Sequence, residues 1–137
     1  MTDQDKKQWL GRYQEAVRME RELMQELETL NARATGMTNA LTGMPGGGSD
    51  GQKLPRAVEG IVSARKELKV QIETCNEVRQ EIKTAIEQVP DTREREVLRR
   101  RYLLGQRWEN IAVETHTALR HVYRLHRAAL KDVIVCH

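Results

Sequence analysis

Residues Arg107 to Leu130, RWENIAVETHTALRHVYRLHRAAL, decide the fold. Ile111 and Ala112 lie on one face of a short helix, and the small Ala112 lets another helix cross closely. His116 and Thr117 break the apolar pattern. Val122, Leu125 and Ala129 then recur at helical spacing and give a second helix its buried stripe. The other face of that helix carries Arg120, His121, Arg124, Arg127 and Lys131. A short helix, a tight turn and a basic second helix predict a helix-turn-helix whose second helix enters the DNA major groove. The spacing puts the scaffold helix at 108–115, the turn at 116–118 and the recognition helix at 119–133.

Working outward, Asp91 is placed to cap a preceding helix over 92–104, with Glu94 three residues on as in a capping box. That helix buries Val97, Leu98, Tyr102 and Leu104, and Gly105 stops it. The run Arg99-Arg100-Arg101 is either a solvated helix end favoured by the dipole or a set of phosphate contacts beside the groove. Pro90 ends a long helix over 54–89. In it Leu54, Val58, Ile61, Leu68, Ile72, Cys75, Ile82, Ile86 and Val89 keep a seven-residue register, with Arg65 and Arg79 at two seam positions. Long Arg side chains snorkel out of such a seam. Over 5–34 a first long helix carries Trp9, Tyr13, Ala16, Leu23, Leu27, Leu30 and Ala34, flanked by Leu10, Val17 and Met24.

Between the two helices, residues 35–52 hold Gly36, Gly43, Gly46, Gly47, Gly48, Gly51 and Pro45. The segment reads as a flexible connector. The order of a phosphate-binding loop is missing from it. Leu41 to Pro45 has the competing reading of a docking segment. The expected fold is therefore all-α: a long, coiled-coil-like antiparallel helical hairpin (1–89), then a C-terminal helix-turn-helix domain (90–137).

The segment from Asp91 to Val133 resembles the DNA-binding region 4 of bacterial sigma-70-type factors. The matching residues are Arg95-Glu96-Val97-Leu98 with Arg101-Tyr102, then Trp108-Glu109-x-Ile111-Ala112, then Val122-Tyr123-Arg124-Leu125-His126 and Ala129-Leu130. With the long helix and the Met-Pro-Gly-rich loop ahead of it, the chain is similar to phage-encoded sigma-region-4-like regulators of late gene transcription. It departs from the family at Arg107, a poor N-cap, at Thr117, and at Ala118-Leu119-Arg120-His121, where Ser and Arg are usual. The resemblance implies double-stranded DNA as partner, and RNA polymerase as a second one. No part resembles the sigma region that recognises the −10 element, so a complete sigma factor is not expected.

Composition agrees with that reading. Of 137 residues, 39% are hydrophobic, 31% charged and 4% aromatic, which suits helices that bury a stripe rather than a broad core. Residues 1–90 hold 13 Lys/Arg against 14 Asp/Glu, and residues 91–137 hold 10 against 6, with all 4 His. The positive balance thus falls where phosphate contacts need it. No apolar run approaches the ~20 residues of a membrane span, and the polar start MTDQDKKQW is unlike a signal peptide. A cytoplasmic protein with no membrane partner is expected.

Cys75 falls on an apolar stripe, Cys136 lies at a frayed end, and the paired Cys of a structural zinc site are missing. Neither cofactor nor metal is expected, and no nucleophile–base pattern points to an enzyme.

Within the recognition helix, Arg120 is the base reader, since its paired donors match guanine O6 and N7. Leu119 meets a thymine methyl or packs into the turn. Arg124, Arg127 and Lys131 suit phosphates. His121 does either, and Tyr123 lies on the exposed side. Arg99 and Arg100 are the outlying phosphate candidates.

The long helices have too thin a core for a lone pair, so further burial is expected, either against the C-terminal module or in a homodimer. Two other functions fit the same elements. A small-terminase-like DNA-packaging subunit would form rings of many copies. A polymerase-binding adaptor would show no DNA affinity.

Overall fold

The computed structural model describes residues 1–43 and 53–135, with side chains for 1–36 and 54–135. All regular structure among the described residues is helical: α1 (Asp3–Leu10), α2 (Arg12–Gly43), α3 (Lys53–Glu87), α4 (Thr92–Leu98), a π-helical turn (Arg99–Leu103), α5 (Trp108–Glu114) and α6 (Leu119–Asp132). None of these helices is long and apolar enough to cross a membrane. The connector expectation for residues 44–52, the Met44-Pro45 part of the docking reading, and the frayed end at Cys136 lie outside the described residues.

The chain divides into two compact units. One comprises residues 1–17 and 75–137, the other residues 18–74. The expected boundary stood at residue 90; in the structure the chain's first residues and the end of α3 group with the C-terminal helices.

In the first unit, Thr2 and Asp5 close a reciprocal capping box. Asp5 N–H donates to Thr2 Oγ1 at 3.1 Å and Thr2 N–H to Asp5 Oδ2 at 3.0 Å, which starts α1 ahead of the expected Asp5. The helix bends at Gly11, where the ladder is interrupted, though Gly11 N–H still bonds Lys7 O (2.9 Å) and Glu15 N–H bonds Gly11 O (3.1 Å). Arg12 Nε donates to Trp9 O at 3.1 Å, and such a side-chain intrusion is a recognised cause of a kink.

Leu10, read from the sequence as flanking, is fully buried. It joins Ile82, Ile86, Val89, Leu98, Tyr102, Ala129, Leu130 and Val133 in the main core. A smaller core of Val97, Ile111 and Val122 is covered by Trp108, Ala112 and Leu125.

Asp91 caps α4 as expected, its Oδ1 accepting from Arg93 N (2.9 Å) and Glu94 N (3.1 Å). Glu94 does not complete the box; it turns inward and is buried. The helix expected over 92–104 runs unbroken from Thr92 to Leu103 but changes pitch at Arg99. Leu104 N–H reaches back to Arg99 O (3.1 Å) and Gln106 N–H to Arg100 O (3.0 Å), widening the last turn. Tyr102 is thereby buried and Leu104 left exposed, against expectation. Gly105, at φ 70°, ends the turn.

In the second unit, α2 presents the half-buried stripe Glu20, Leu23, Leu27, Leu30 and Ala34, and Met24 is exposed. α2 also runs past Thr35 and Gly36 to Gly43, beyond the expected start of the connector. Thr35 stays helical by returning its hydroxyl to Asn31 O at 2.9 Å. A methyl at Gly36 would meet nothing within 4 Å, so no close approach demands a break there.

Along α3 and just beyond it Ile61, Ala64, Leu68, Cys75, Ile82, Ala85, Ile86 and Val89 are buried, with Leu54, Ala57, Gln71 and Val78 half-buried. Of the predicted seam, Ile61, Leu68, Cys75, Ile82, Ile86 and Val89 are buried and Leu54 half-buried, while Ala57, Ala64, Gln71 and Val78 take the places expected of Val58, Arg65, Ile72 and Arg79. Val58 (49% exposed) and Ile72 (38%) point outward. Arg65 and Arg79 are exposed and never enter the seam, so no snorkelling is needed.

Candidate nucleic-acid interface

Two short helices meet through residues 115–118. α5 ends where Thr115 N–H and Thr115 Oγ1 both bond Ile111 O, at 2.9 and 2.6 Å. His116 then takes φ 52°, the left-handed region that polar residues in turns tolerate. Thr117 N–H returns to Ala112 O (2.9 Å), and Thr117 Oγ1 donates to Thr115 O (3.0 Å). Ala118 O accepts from His121 N (2.9 Å) and Val122 N (3.0 Å), starting α6 with no side-chain cap. The predicted limits of this segment hold to within a residue.

α6 is the most clearly two-faced helix of the chain. Val122, His126, Ala129 and Leu130 are buried. Arg120, Tyr123, Arg124, Arg127 and Lys131 are exposed, and their spacing puts them on one face. Among the described residues the side chains of Arg120, Arg124, Arg127 and Lys131 form no hydrogen bond or ion pair. Leu119 (36% exposed) stands at the edge of this face and His121 is half-buried. His121 lines a hollow of about 530 Å³ around the turn with Arg93, Glu96, His116 and Thr117.

Arg99 and Arg100 are placed differently. Arg99 bonds Glu96 through Nε (3.2 Å) and Nη2 (2.9 Å). Arg100 bonds Glu96 through Nε (2.7 Å), and its Nη1 donates to Glu114. Those bonds hold the Glu96 carboxyl below its ordinary range and raise the Arg99 guanidinium. Arg100, tied to both α4 and α5, braces the turn between them. Its charge is neutralised within the fold.

Two features of this unit were not foreseen from the sequence. The first is an aromatic and cationic cluster against α6. Tyr102 Oη and His126 Nε2 lie 2.8 Å apart in the interior. The His126 ring meets Trp108 edge-on at 4.6 Å, and Trp108 meets Tyr123 at 5.4 Å. Arg101 lies over the Trp108 ring at 4.5 Å. Burial, with Lys7 and Arg101 nearby, pushes the His126 imidazole down to about 4, and burial raises Tyr102 to about 12. The signal available in the sequence was His126 falling on the buried stripe with Val122, Ala129 and Leu130.

The second feature is Glu94. Its Oε2 is buried with no hydrogen-bond partner. Burial first, and the nearness of Asp132 at the end of α6 second, push its carboxyl up to about 7.

Among the described residues no group of three or more His, Cys, Asp or Glu is placed to hold a metal ion. Compared with family models, curated proteins and solved structures, the chain matches none.

Proposed function

We propose that α5, residues 115–118 and α6 form a DNA-binding helix-turn-helix, with α6 in the major groove, and that the chain is a sequence-specific transcription regulator of the phage or prophage type. The observation that carries this reading is the contrast between two sets of basic residues. Those on the outer face of α6 have no side-chain partner among the described residues, whereas Arg99 and Arg100 are satisfied by Glu96 and Glu114. Unpaired cations sharing a helix face suit a partner that carries its own negative charge.

In this reading Arg120 contacts a base near the start of α6. Arg124, Arg127 and Lys131 hold phosphates, and Tyr123 lies against the sugar-phosphate edge. Arg100 braces the motif from within. Residues 18–74 form an antiparallel arm for a second copy or for RNA polymerase, and the exposed Val58, Val62 and Ile72 on α3 are its apolar contact residues.

The test is DNA binding over a salt series, on fragments from the gene's own neighbourhood, by the wild type and an Arg120→Ala/Arg124→Ala variant. Salt-sensitive binding with a preferred fragment, lost in the variant, supports the reading. Failure of the wild type to bind at low salt refutes it and favours a polymerase-binding adaptor.

A further inference from the structure

A hollow of about 430 Å³ lies beside the outer face of α6, lined by Lys7, Arg101, Tyr102, Trp108, Tyr123 and His126. Its walls come from α1, the π-helical turn, α5 and α6, all within the first unit. No acid lines it. Lys7 is exposed, and its ammonium makes no hydrogen bond or ion pair among the described residues.

Arg101 is held in place by stacking on Trp108 and by donating Nη1 to Gln106 O at 3.0 Å. Guanidinium carries five N–H donors, so most of its capacity is left over. The facing imidazole of His126 is uncharged near neutral pH because it is buried. The hollow therefore offers fixed positive charge against an aromatic wall. That combination suits a phosphate ester, whose anion meets the cations while its organic part lies on the rings. Tyr123 belongs both to this wall and to the exposed face of α6, so a ligand here is continuous with whatever lies along that face.

We propose that this hollow receives a backbone phosphate of the same duplex that α6 reads, so that the N-terminal helix is part of the DNA-binding surface. The inference rests on the DNA-binding reading above. It adds to that reading a contact from outside the helix-turn-helix, at a residue far away in sequence.

The experiment compares the wild-type full chain with Lys7→Gln and with a Lys69→Gln control, which removes an exposed charge from the other unit. Binding to the preferred fragment and to an unrelated fragment is followed by fluorescence anisotropy from low to moderate salt. Loss of one phosphate contact lowers the slope of log K against log salt by about 0.9. Lys7→Gln is expected to show that drop and to weaken both fragments by the same factor, with the melting temperature unchanged. Lys69→Gln is expected to match the wild type.

An unchanged slope in Lys7→Gln, with normal wild-type binding, overturns the inference and leaves the DNA-binding reading standing. Absence of wild-type binding overturns both. A free phosphate ester is the other source of this chemistry. If dAMP binds the wild type at constant ionic strength, Lys7→Gln abolishes that binding, and the salt slope on DNA is the same in both proteins, the hollow is a mononucleotide site and the duplex assignment fails.

Discussion

Replacing His126 by Phe should weaken the fold at neutral pH and strengthen it, relative to the wild type, in mild acid. The ring is 7% exposed, and its Nε2 bonds Tyr102 Oη at 2.8 Å. Phe keeps a ring against Trp108 but leaves a buried hydroxyl without a partner, at a cost of about 1–3 kcal/mol. That term dominates near pH 7. In acid a second term enters. The unfolded chain protonates His126 near its ordinary 6.5, whereas the folded chain resists down to about 4 because burial, Lys7 and Arg101 disfavour the imidazolium, with Asp3 opposing weakly.

Because the folded value is the lower one, stability is lost as pH falls from about 6.5 and the loss is complete only below about 4. At about 1.4 kcal/mol per pH unit of that gap, the wild type loses roughly 3 kcal/mol by pH 4. The Phe variant loses none of it through this residue. Urea unfolding of both proteins at intervals from pH 7.5 to 4 isolates the effect, since every other titrating group cancels in the difference. The stability difference should shrink steadily and end near zero or reversed. A difference that stays constant across that range would show that His126 is not held neutral in the interior.

Three other substitutions follow from the same unit. Glu94→Gln should raise the denaturation midpoint at pH 8 and change it little at pH 4. The carboxyl, normally near 4.5 and raised to about 7 by burial and Asp132, is favourable only while protonated, and its contribution is lost as pH rises through that window. Gly105→Ala should lose about 1–2 kcal/mol to the left-handed backbone alone, and it should also disturb Gln14, whose Oε1 lies 2.7 Å from the position of the new Cβ; thermal melting reads both. Leu10→Ala should cost about 2–5 kcal/mol as a fully buried leucine and should destabilise α6 as well as α1, which hydrogen exchange of the α6 amides would reveal; exchange altered in α1 alone would count against a shared core.

The region around α5 and α6 was legible because its signals are local. Val122, Ala129 and Leu130 mark one face of a short helix, the basic residues mark the other, and His116-Thr117 interrupt the pattern where the chain turns. Most of the seam of α3 was legible, since Ile61, Leu68, Cys75, Ile82, Ile86 and Val89 are buried as read, while Val58 and Ile72 are not. Seen along the sequence, Val58 and Ile72 outrank Ala57 and Ala64 as core residues, because apolar area normally sets burial. The helix buries Ala64 and half-buries Ala57 instead, and small residues in a seam let a neighbouring backbone come close.

The pairs of Glu96 with Arg99 and Arg100 stand at ordinary i,i+3 and i,i+4 helical spacing and were open to a reading of the sequence. The bonds of Arg100 to Glu114 and of Arg101 to Gln106 O were not, since they depend on how the widened turn leads the chain into α5. The hollow with Lys7 and Arg101 was equally hidden, since its lining residues are far apart in sequence and meet only when α1 packs on α6.

That packing also explains why Pro90, an obvious punctuation mark in the sequence, is not a physical boundary. Lys6 Nζ donates to Leu130 O at 2.7 Å, supplying a cation and a donor to the carbonyl end of α6, where the helix dipole favours one. Leu10 fills the core beneath Leu130 and Val133. Gln14 Nε2 reaches Tyr102 O (3.1 Å) and Leu103 O (3.3 Å), which the widened turn leaves open. The first turns of the chain thus satisfy backbone groups that the C-terminal helices cannot satisfy among themselves, and groups of this kind are costly when buried without partners. Under the proposed DNA-binding function the outer face of α6 would have to keep a fixed angle, because displacement by an ångström spoils a bidentate base contact. α6 is fixed from behind by α1 and from the side by α4 and α5. The N-terminal residues thus hold α6 in place, and under the proposal above Lys7 would also extend its positive face.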